Sequence, residues 1–256
     1  MRILLKTILL LTFLLTNKNS AQTYLGNYTS HSTAGNAITI SADPSSLKFI
    51  FYKPDIVRVD FHPSSSTSID SSFIVVQDTS EVVSYTLEDF SDRIEISTDA
   101  LQIICQKYPV RISYKNSNGE VILSEPAAGG IAVNGNERLV NFILDNDDHF
   151  YGTGERGTEL DKRGQSFYSF NTQIGGYSTP LETMNINVPF LANKKGYAIY
   201  FDNTYPGYYD LGESILSQFS YKVFGGEMSY YLIIAATIPK QLEKYTWLTG
   251  RQPLSP

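Results

Sequence analysis

The polar residues best suited to chemistry lie in one glycine-rich stretch in the middle of the chain. Asn171, Thr172 and Gln173 are followed by two glycines and then by Tyr177. Amides and hydroxyls exchange hydrogen bonds with sugar hydroxyls, and a tyrosine adds an apolar face with a polar tip. The pattern predicts a carbohydrate contact at these four residues. A plain connecting loop is the alternative.

A cluster of alternating charges precedes this stretch. Its members are Glu155, Arg156, Glu159, Asp161, Lys162 and Arg163. Two carboxylates can cleave a glycosidic bond when they stand about 5–5.5 Å apart for retention, or about 6.5–9.5 Å apart for inversion, in different environments. Neighbours on one loop rarely meet that requirement. We therefore interpret these residues as ion pairs that brace a long loop.

Two further patterns in the same region have simple interpretations. Gly152, Gly154 and Gly157 match GxGxxG, but no amphipathic helix follows, so these glycines indicate tight turns rather than a dinucleotide site. The acidic run 145–148 lacks the glycine and distal glutamate of a calcium loop and is typical of a solvated turn. The three histidines are far apart and lack metal-ligand spacing, so we expect no metal and no cofactor.

These residues must be positioned by strands, because period-2 alternation dominates the chain from Leu47 onward. Alternating segments recur at short intervals, FIVVQD (73–78) and VVSYTLED (82–89) among them, and Asn118-Gly119 suits a hairpin turn. One short helix is predicted near the end, with Pro239 at its start and Gly250 after it. Its buried face should consist of Leu242, Tyr245 and Leu248. This pattern predicts an all-β protein, an antiparallel β-sandwich with one short C-terminal helix.

The N-terminal 21 residues are typical of a secretory signal peptide. A basic start precedes an apolar run that is too short to span a bilayer, and a plausible cleavage site lies near Ala21. We therefore predict a secreted or periplasmic protein, with a membrane anchor as the alternative. The net charge of −6 disfavours nucleic acid or an anionic membrane as a partner. Cys105, the only cysteine, lies in a strand pattern and is interpreted as a small buried hydrophobe.

Several segments, in this order, resemble a known family. They are FYGTGERGTELDKRG, FNTQIGGYST, VPFLANKKGYAIYFDN, YYDLG and TGRQPLSP. Together they resemble the N-terminal domain of glycoside hydrolase family 31, the α-glucosidase family, over roughly residues 47–256. The resemblance implies a galactose-mutarotase-like β-sandwich (supersandwich) at residues 22–248. Residues 249–256 would begin a linker to a (β/α)₈ barrel.

The resemblance also implies that the catalytic groups and part of the substrate contacts lie on different domains. The family's nucleophile and acid/base are aspartates on the barrel, and no part of this chain matches the barrel motifs. We therefore expect the chain alone to be inactive. The domain of the family lends a loop to the rim of the active site, which maps here onto Asn171, Thr172, Gln173 and Tyr177. Gln173 stands where the common pattern has Asp, so an uncharged amide replaces a carboxylate.

The resemblance implies two partners, an α-glucan or α-glucoside oligosaccharide and the catalytic barrel. A free-standing secreted carbohydrate-binding β-sandwich remains the alternative function. An aldose mutarotase is disfavoured because the three histidines do not resemble the pattern of that enzyme. Linkage preference, and hydrolysis against transfer, stay open.

Overall fold

The structure, a computed structural model, describes residues 22–63, 72–173, 175, 176, 178, 181, 182 and 184–252. The predicted signal peptide (1–21), Tyr177 and the end of the predicted linker (253–256) lie outside the described residues. Within the described part of the chain, no helix is long and apolar enough to cross a membrane.

The described residues form strands and one helix in a simple order along the chain. The strands are β1 (Thr23–Tyr24), β2 (Gly26–Ala34), β3 (Ala37–Pro44), β4 (Ser46–Lys53), β5 (Ile56–His62), β6 (Thr86–Asp89), β7 (Arg93–Ser97), β8 (Leu101–Lys107), β9 (Val110–Asn116), β10 (Val121–Ser124), β11 (Ile131–Asn134), β12 (Glu137–Ile143), β13 (Phe150–Gly152), β14 (Ser166–Ser169), β15 (Phe190–Asn193), β16 (Tyr197–Phe201), β17 (Gly207–Asp210), β18 (Gln218–Val223) and β19 (Met228–Ile234). The helix, α1, spans Ile238–Thr249 and follows them all.

The strands pair into three antiparallel sheets. The largest has eight strands in the order β13-β15-β16-β19-β5-β4-β3-β2. A six-stranded sheet runs β1-β11-β12-β18-β17-β14, and a five-stranded sheet runs β10-β9-β8-β7-β6. One hydrophobic core takes in side chains from all three sheets, such as Val59, Ile103 and Phe219. The prediction of an all-β antiparallel sandwich is confirmed.

Most strands alternate between buried and more exposed residues. Four strands do not alternate, because both of their faces are buried. In β8 every second residue is buried, as expected for a strand with one face on the core. Nearly every residue of β5, β15, β16 and β19 is buried, so these strands are covered on both faces. Their outer face forms a second apolar cluster with α1, in which Tyr200, Tyr231 and Leu248 take part.

The helix lies where the sequence predicts it, but the prediction that Leu242 belongs to its buried face is wrong. Leu248 is fully buried and Tyr245 packs on Phe190, with ring centroids 4.4 Å apart, whereas Leu242 is 45% exposed. Gln241 is buried instead and donates from Nε2 to the carbonyls of Asn193 (2.8 Å) and Ala235 (3.0 Å). These two carbonyls belong to β15 and to the residue after β19, and an amide can donate to them where a leucine cannot.

The predicted strand at 73–78 is absent, and the second predicted strand, at 82–89, is shortened to β6. The backbone N–H of Val76 instead donates to the carbonyl of Leu248 (3.0 Å), and Gln77 donates from Nε2 to the carbonyl of Trp247 (2.8 Å). This segment is thus tied to the end of α1 rather than to a sheet edge. Phe73 is left almost fully exposed as a result.

Candidate functional site

The loop that carries the predicted sugar-contacting stretch packs against a set of tight turns after β13. Gly152 and Gly154 have φ values of 103° and 90°. A side chain on Gly154 would place its Cβ only 2.4 Å from the carbonyl oxygen of Ile186, and Glu155 N donates to that same oxygen at 2.7 Å. The interpretation as turn residues is confirmed for Gly152 and Gly154, whereas Gly157 pairs with Leu181 in an isolated β-bridge. The two turn glycines let residues 152–155 approach the segment before β15, which closes a long loop between β14 and β15.

Arg156 holds this loop in place. Its guanidinium donates from Nε to Thr153 Oγ1 (2.8 Å), from Nη1 to the carbonyls of Tyr168 (3.1 Å) and Glu182, and from Nη2 to Asn187 Oδ1 (2.8 Å). Burial lowers the pKa of Arg156 to about 10. The group stays charged at neutral pH and binds both ends of the loop through carbonyl and amide oxygens.

The remaining charges also brace loops, but the predicted pairing among them is wrong. Arg163 donates to the carbonyls of Asp145 (2.5 Å) and Asp148 (2.9 Å), and Lys162 donates to Thr158 Oγ1 and to a carbonyl. Asp161 lies 2.5 Å from His149 Nδ1. The cations bind backbone oxygens because carbonyls in turns need donors, and sequence alone does not locate those carbonyls.

The loop carries the predicted rim residues at the surface. Asn171, Thr172 and Gln173 are all exposed. Asn171 Oδ1 accepts from the backbone N–H of Asn187 (2.6 Å), and Asn187 Nδ2 donates to the carbonyl of Phe170 (2.7 Å). The loop therefore uses the Asn171 carbonyl oxygen for its own geometry. The side chains of Thr172 and Gln173 face solvent, and their role as sugar contacts stays a prediction, as does that of Tyr177.

A cleft of about 270 Å³ runs from Asn171 across the end of β16. Its lining residues are Phe73, Ile74, Ser169, Phe170, Asn171, Asn187, Pro189, Tyr200, Asp202, Asn203, Thr204, Tyr205 and Tyr221. A smaller part of about 130 Å³ continues to Glu227 and Ser229. Sequence reasoning missed Asp202, Tyr205 and Phe73 as members of one site. The run of polar and aromatic residues after β16 was the available signal.

Buried charges lie beside this cleft. Burial raises the pKa of Asp202, although a hydrogen bond from Ser72 and the nearby Arg58 oppose that rise. Arg58 Nε donates to Asp60 Oδ1 at 2.7 Å, and both side chains are almost fully buried. Among the described residues, no three His, Cys, Asp or Glu side chains come together as a possible metal site. The cleft is suited to binding polar ligands through hydroxyl and carboxylate groups.

Residues 46–210 match the model of the glycosyl hydrolase 31 N-terminal galactose mutarotase-like domain. The chain belongs to this family. It is 29% identical over 236 residues to alpha-glucosidase 2 of Bacillus thermoamyloliquefaciens, which covers 91% of this chain and 30% of the relative. It is 30% identical over 225 residues to an alpha-xylosidase of Saccharolobus solfataricus, covering 80% of this chain and 28% of the relative.

Solved structures, one of them a glycoside hydrolase family 31 dextranase, share the fold of this chain. A dextranase of Flavobacterium johnsoniae, determined with isomaltotriose, superposes with a TM-score of 0.85 at 24% identity, covering 90% of this chain and 29% of the dextranase. A cycloalternan-forming enzyme of Listeria monocytogenes, determined with a pentasaccharide, superposes with a TM-score of 0.80 at 22% identity, covering 92% and 23%. The chain thus spans less than a third of the length of these proteins. The predicted family and the galactose-mutarotase-like fold are confirmed.

Proposed function

We propose that this chain is the carbohydrate-contacting N-terminal domain of a secreted, α-glucosidase-like glycoside hydrolase. The observation that carries the proposal is the set of hydrogen bonds by which Arg156 joins Tyr168 to Asn187, on either side of the exposed residues Thr172 and Gln173. Contact residues whose flanking segments are fixed before the ligand arrives lose less conformational freedom on binding. Secretion is inferred from the signal-peptide pattern of residues 1–21.

The chain contributes contacts rather than chemistry in this proposal. Hydrolysis or transfer of α-glucosyl units would be carried out by groups of a catalytic barrel outside these residues. At Gln173 the amide both donates and accepts hydrogen bonds, so it can engage a sugar hydroxyl without adding charge to the site. An α-glucan or α-glucoside oligosaccharide is the proposed ligand.

The first test is enzymatic. We expect the purified chain to show no turnover of an aryl α-glucoside, because the family's nucleophile and acid/base belong to the barrel. Measurable turnover that is lost on substitution of a residue within this chain would contradict the proposal.

The second test concerns the rim. In a titration with maltotriose or isomaltotriose followed by amide NMR, we expect shifts at Thr172 and Gln173. Gln173→Ala should weaken binding, whereas Asn27→Ala, an exposed amide on β2, should leave it unchanged. Shifts elsewhere only, or equal effects of the two variants, would exclude the rim role.

A free-standing secreted carbohydrate-binding β-sandwich is the second candidate. The cleft of about 270 Å³ beside Asn171 favours it, because the described residues alone form that cleft. The coding sequence after codon 256 discriminates the two candidates. An in-frame barrel supports the first, and a stop codon together with sugar binding by the chain supports the second.

A further inference from the structure

The aromatic ring of Tyr205 packs against the backbone on one side and is exposed to solvent on the other. A Cβ on Gly225 would lie 2.6 Å from Tyr205 Cδ1, and a Cβ on Gly226 would lie 3.0 Å from Tyr205 Cδ2. The ring therefore rests directly on the backbone of two consecutive glycines, which is possible only without side chains there. The residue is nevertheless 53% exposed. One side of the ring is supported and the rest faces solvent.

Asn203 holds together the two chain segments that position the ring of Tyr205. Its Nδ2 donates to the carbonyls of Gly225 (3.1 Å) and Glu227 (2.6 Å), and its Oδ1 accepts from the backbone N–H of Tyr205 (2.6 Å). One amide thus joins the segment after β16 to the turn between β18 and β19. Because Tyr205 is ordered by the protein itself, little conformational entropy remains to be lost when a ligand stacks on it.

Next to the ring lie an apolar surface and a carboxylate that can accept hydrogen bonds from hydroxyl groups. Tyr205, Asp202 and Thr204 line both parts of the cleft, and so does Phe73, which is 89% exposed. Asp202 is held by a hydrogen bond from the hydroxyl of Ser72, and that oxygen in turn accepts from the backbone N–H groups of Ile74 (3.2 Å) and Val75 (3.1 Å). Asp202 also accepts from the hydroxyl of Tyr200, so two of the about four acceptor sites of an ionised carboxylate are used and further lone pairs remain.

We propose that this cleft binds a pyranose ring of an α-linked gluco-oligosaccharide, with Tyr205 as the stacking platform and Asp202 as an acceptor for sugar hydroxyls. A pyranose has an apolar C–H face and polar edges, which match an open aromatic face beside a carboxylate. The class of sugar rests on the proposed function, because the cleft is continuous with Asn171. The assignment adds a contact region that the predicted rim residues do not include.

The test is titration of the chain with isomaltotriose and with maltotriose, followed by amide NMR. We expect Tyr205→Ala to weaken binding about tenfold, because a stacked aromatic contact is lost, and Tyr205→Phe to keep it. Tyr108→Ala is the matched control, since Tyr108 is 62% exposed in the turn between β8 and β9. Asp202→Asn should also weaken binding and provides a second variant if Tyr205→Ala lowers the melting temperature.

The outcomes separate this inference from the proposed function. If Gln173→Ala weakens binding and Tyr205→Ala does not, the rim role stands and the cleft assignment fails. If Tyr205→Ala and Asp202→Asn weaken binding while Gln173→Ala does not, the cleft assignment stands and the rim role fails. Absence of binding by the unmodified chain overturns the assignment. So does an effect of Tyr205→Ala on self-association alone, which would make the cleft a protein-docking face.

Discussion

At the scale of single residues, Arg156 is the side chain that holds together the segments on which the candidate site lies. Its guanidinium lies 3.8 Å above the ring of Phe167 and donates to oxygens of Tyr168, Glu182 and Asn187. The five N–H donors of a guanidinium can serve the four acceptors that Arg156 has here, whereas the ammonium of lysine has only three donors. The sequence marks Arg156 only as one charge among six, because the carbonyls that it binds come from distant turns.

We predict that Arg156→Lys destabilises the fold by about 1–3 kcal/mol and loosens the loop, because buried acceptors lose their donors. Chemical denaturation gives the free energy of unfolding, and amide hydrogen exchange at Asn187 and Gln173 reports the loop. Arg251→Lys is the control, since Arg251 is exposed beyond α1. Unchanged exchange at Asn187 in the Arg156 variant would contradict the bracing role.

At the scale of elements, α1 packs on the outer face of the eight-stranded sheet and shields it from solvent. Leu248 is fully buried against that face, and Lys244 donates to Asp55 and to the carbonyl of Ile234. The segment 73–78 depends on the helix in turn, because its backbone bonds to the carbonyl of Leu248. Hydrogen bonds therefore join the helix to this segment, whose first residue, Phe73, lines the cleft.

We predict that Leu248→Ala costs about 2–5 kcal/mol of unfolding free energy, because it removes a buried side chain and leaves a cavity. Leu242→Ala on the same helix should cost less than about 1 kcal/mol, because Leu242 is half-exposed. Thermal unfolding of both variants measures the difference. Equal losses would show that the helix packs by another face.

The elements also show what a sequence can predict. Strands with one buried face, such as β8, carry the full alternation and are predicted correctly. The segment 73–78 is apolar enough to suggest a strand but bonds to α1, and no local pattern records which partner supplies its hydrogen bonds. The stretch 171–177 is recognisable in the sequence because its polar residues are adjacent in the chain, and its role as a sugar contact stays a prediction. Tyr205 was missed because its support, Gly225 and Gly226, comes from another turn.

At the scale of the whole molecule, the three sheets are joined by a shared core that contains buried polar groups. Tyr114 of the five-stranded sheet and Tyr230 of the eight-stranded sheet share a hydrogen bond of 2.7 Å between their hydroxyls. Glu125 is buried close enough to influence both tyrosines. Its Oε2 accepts from the backbone N–H of Ile112 (2.9 Å), whereas Oε1 is buried without a partner among the described residues.

This carboxyl makes stability fall as pH rises. Burial raises the pKa of Glu125 to about 8, from an ordinary value of 4.5, despite the N–H of Ile112 and the charge of Arg111. Between these two values the folded state holds a proton that the unfolded state releases, so the stabilising contribution is complete below about pH 4.5 and is lost toward pH 8. The gap between these two pKa values corresponds to a full loss on the order of 5 kcal/mol, most of it between pH 5 and pH 8.

We predict that Glu125→Gln removes this dependence, because an amide of the same shape keeps an acceptor for Ile112 and carries no ionisable proton. Relative to the unmodified chain, the variant should gain about 3 kcal/mol between pH 5 and pH 8, measured as the free energy of unfolding at each pH. Glu88→Gln, on the exposed strand β6, should show no such pH-dependent gain. Comparing differences between pH values cancels any constant cost of the amide. A gain of the same size at pH 5 and pH 8 would mean that Glu125 does not titrate in the core, and that another group sets the pH response of the sandwich.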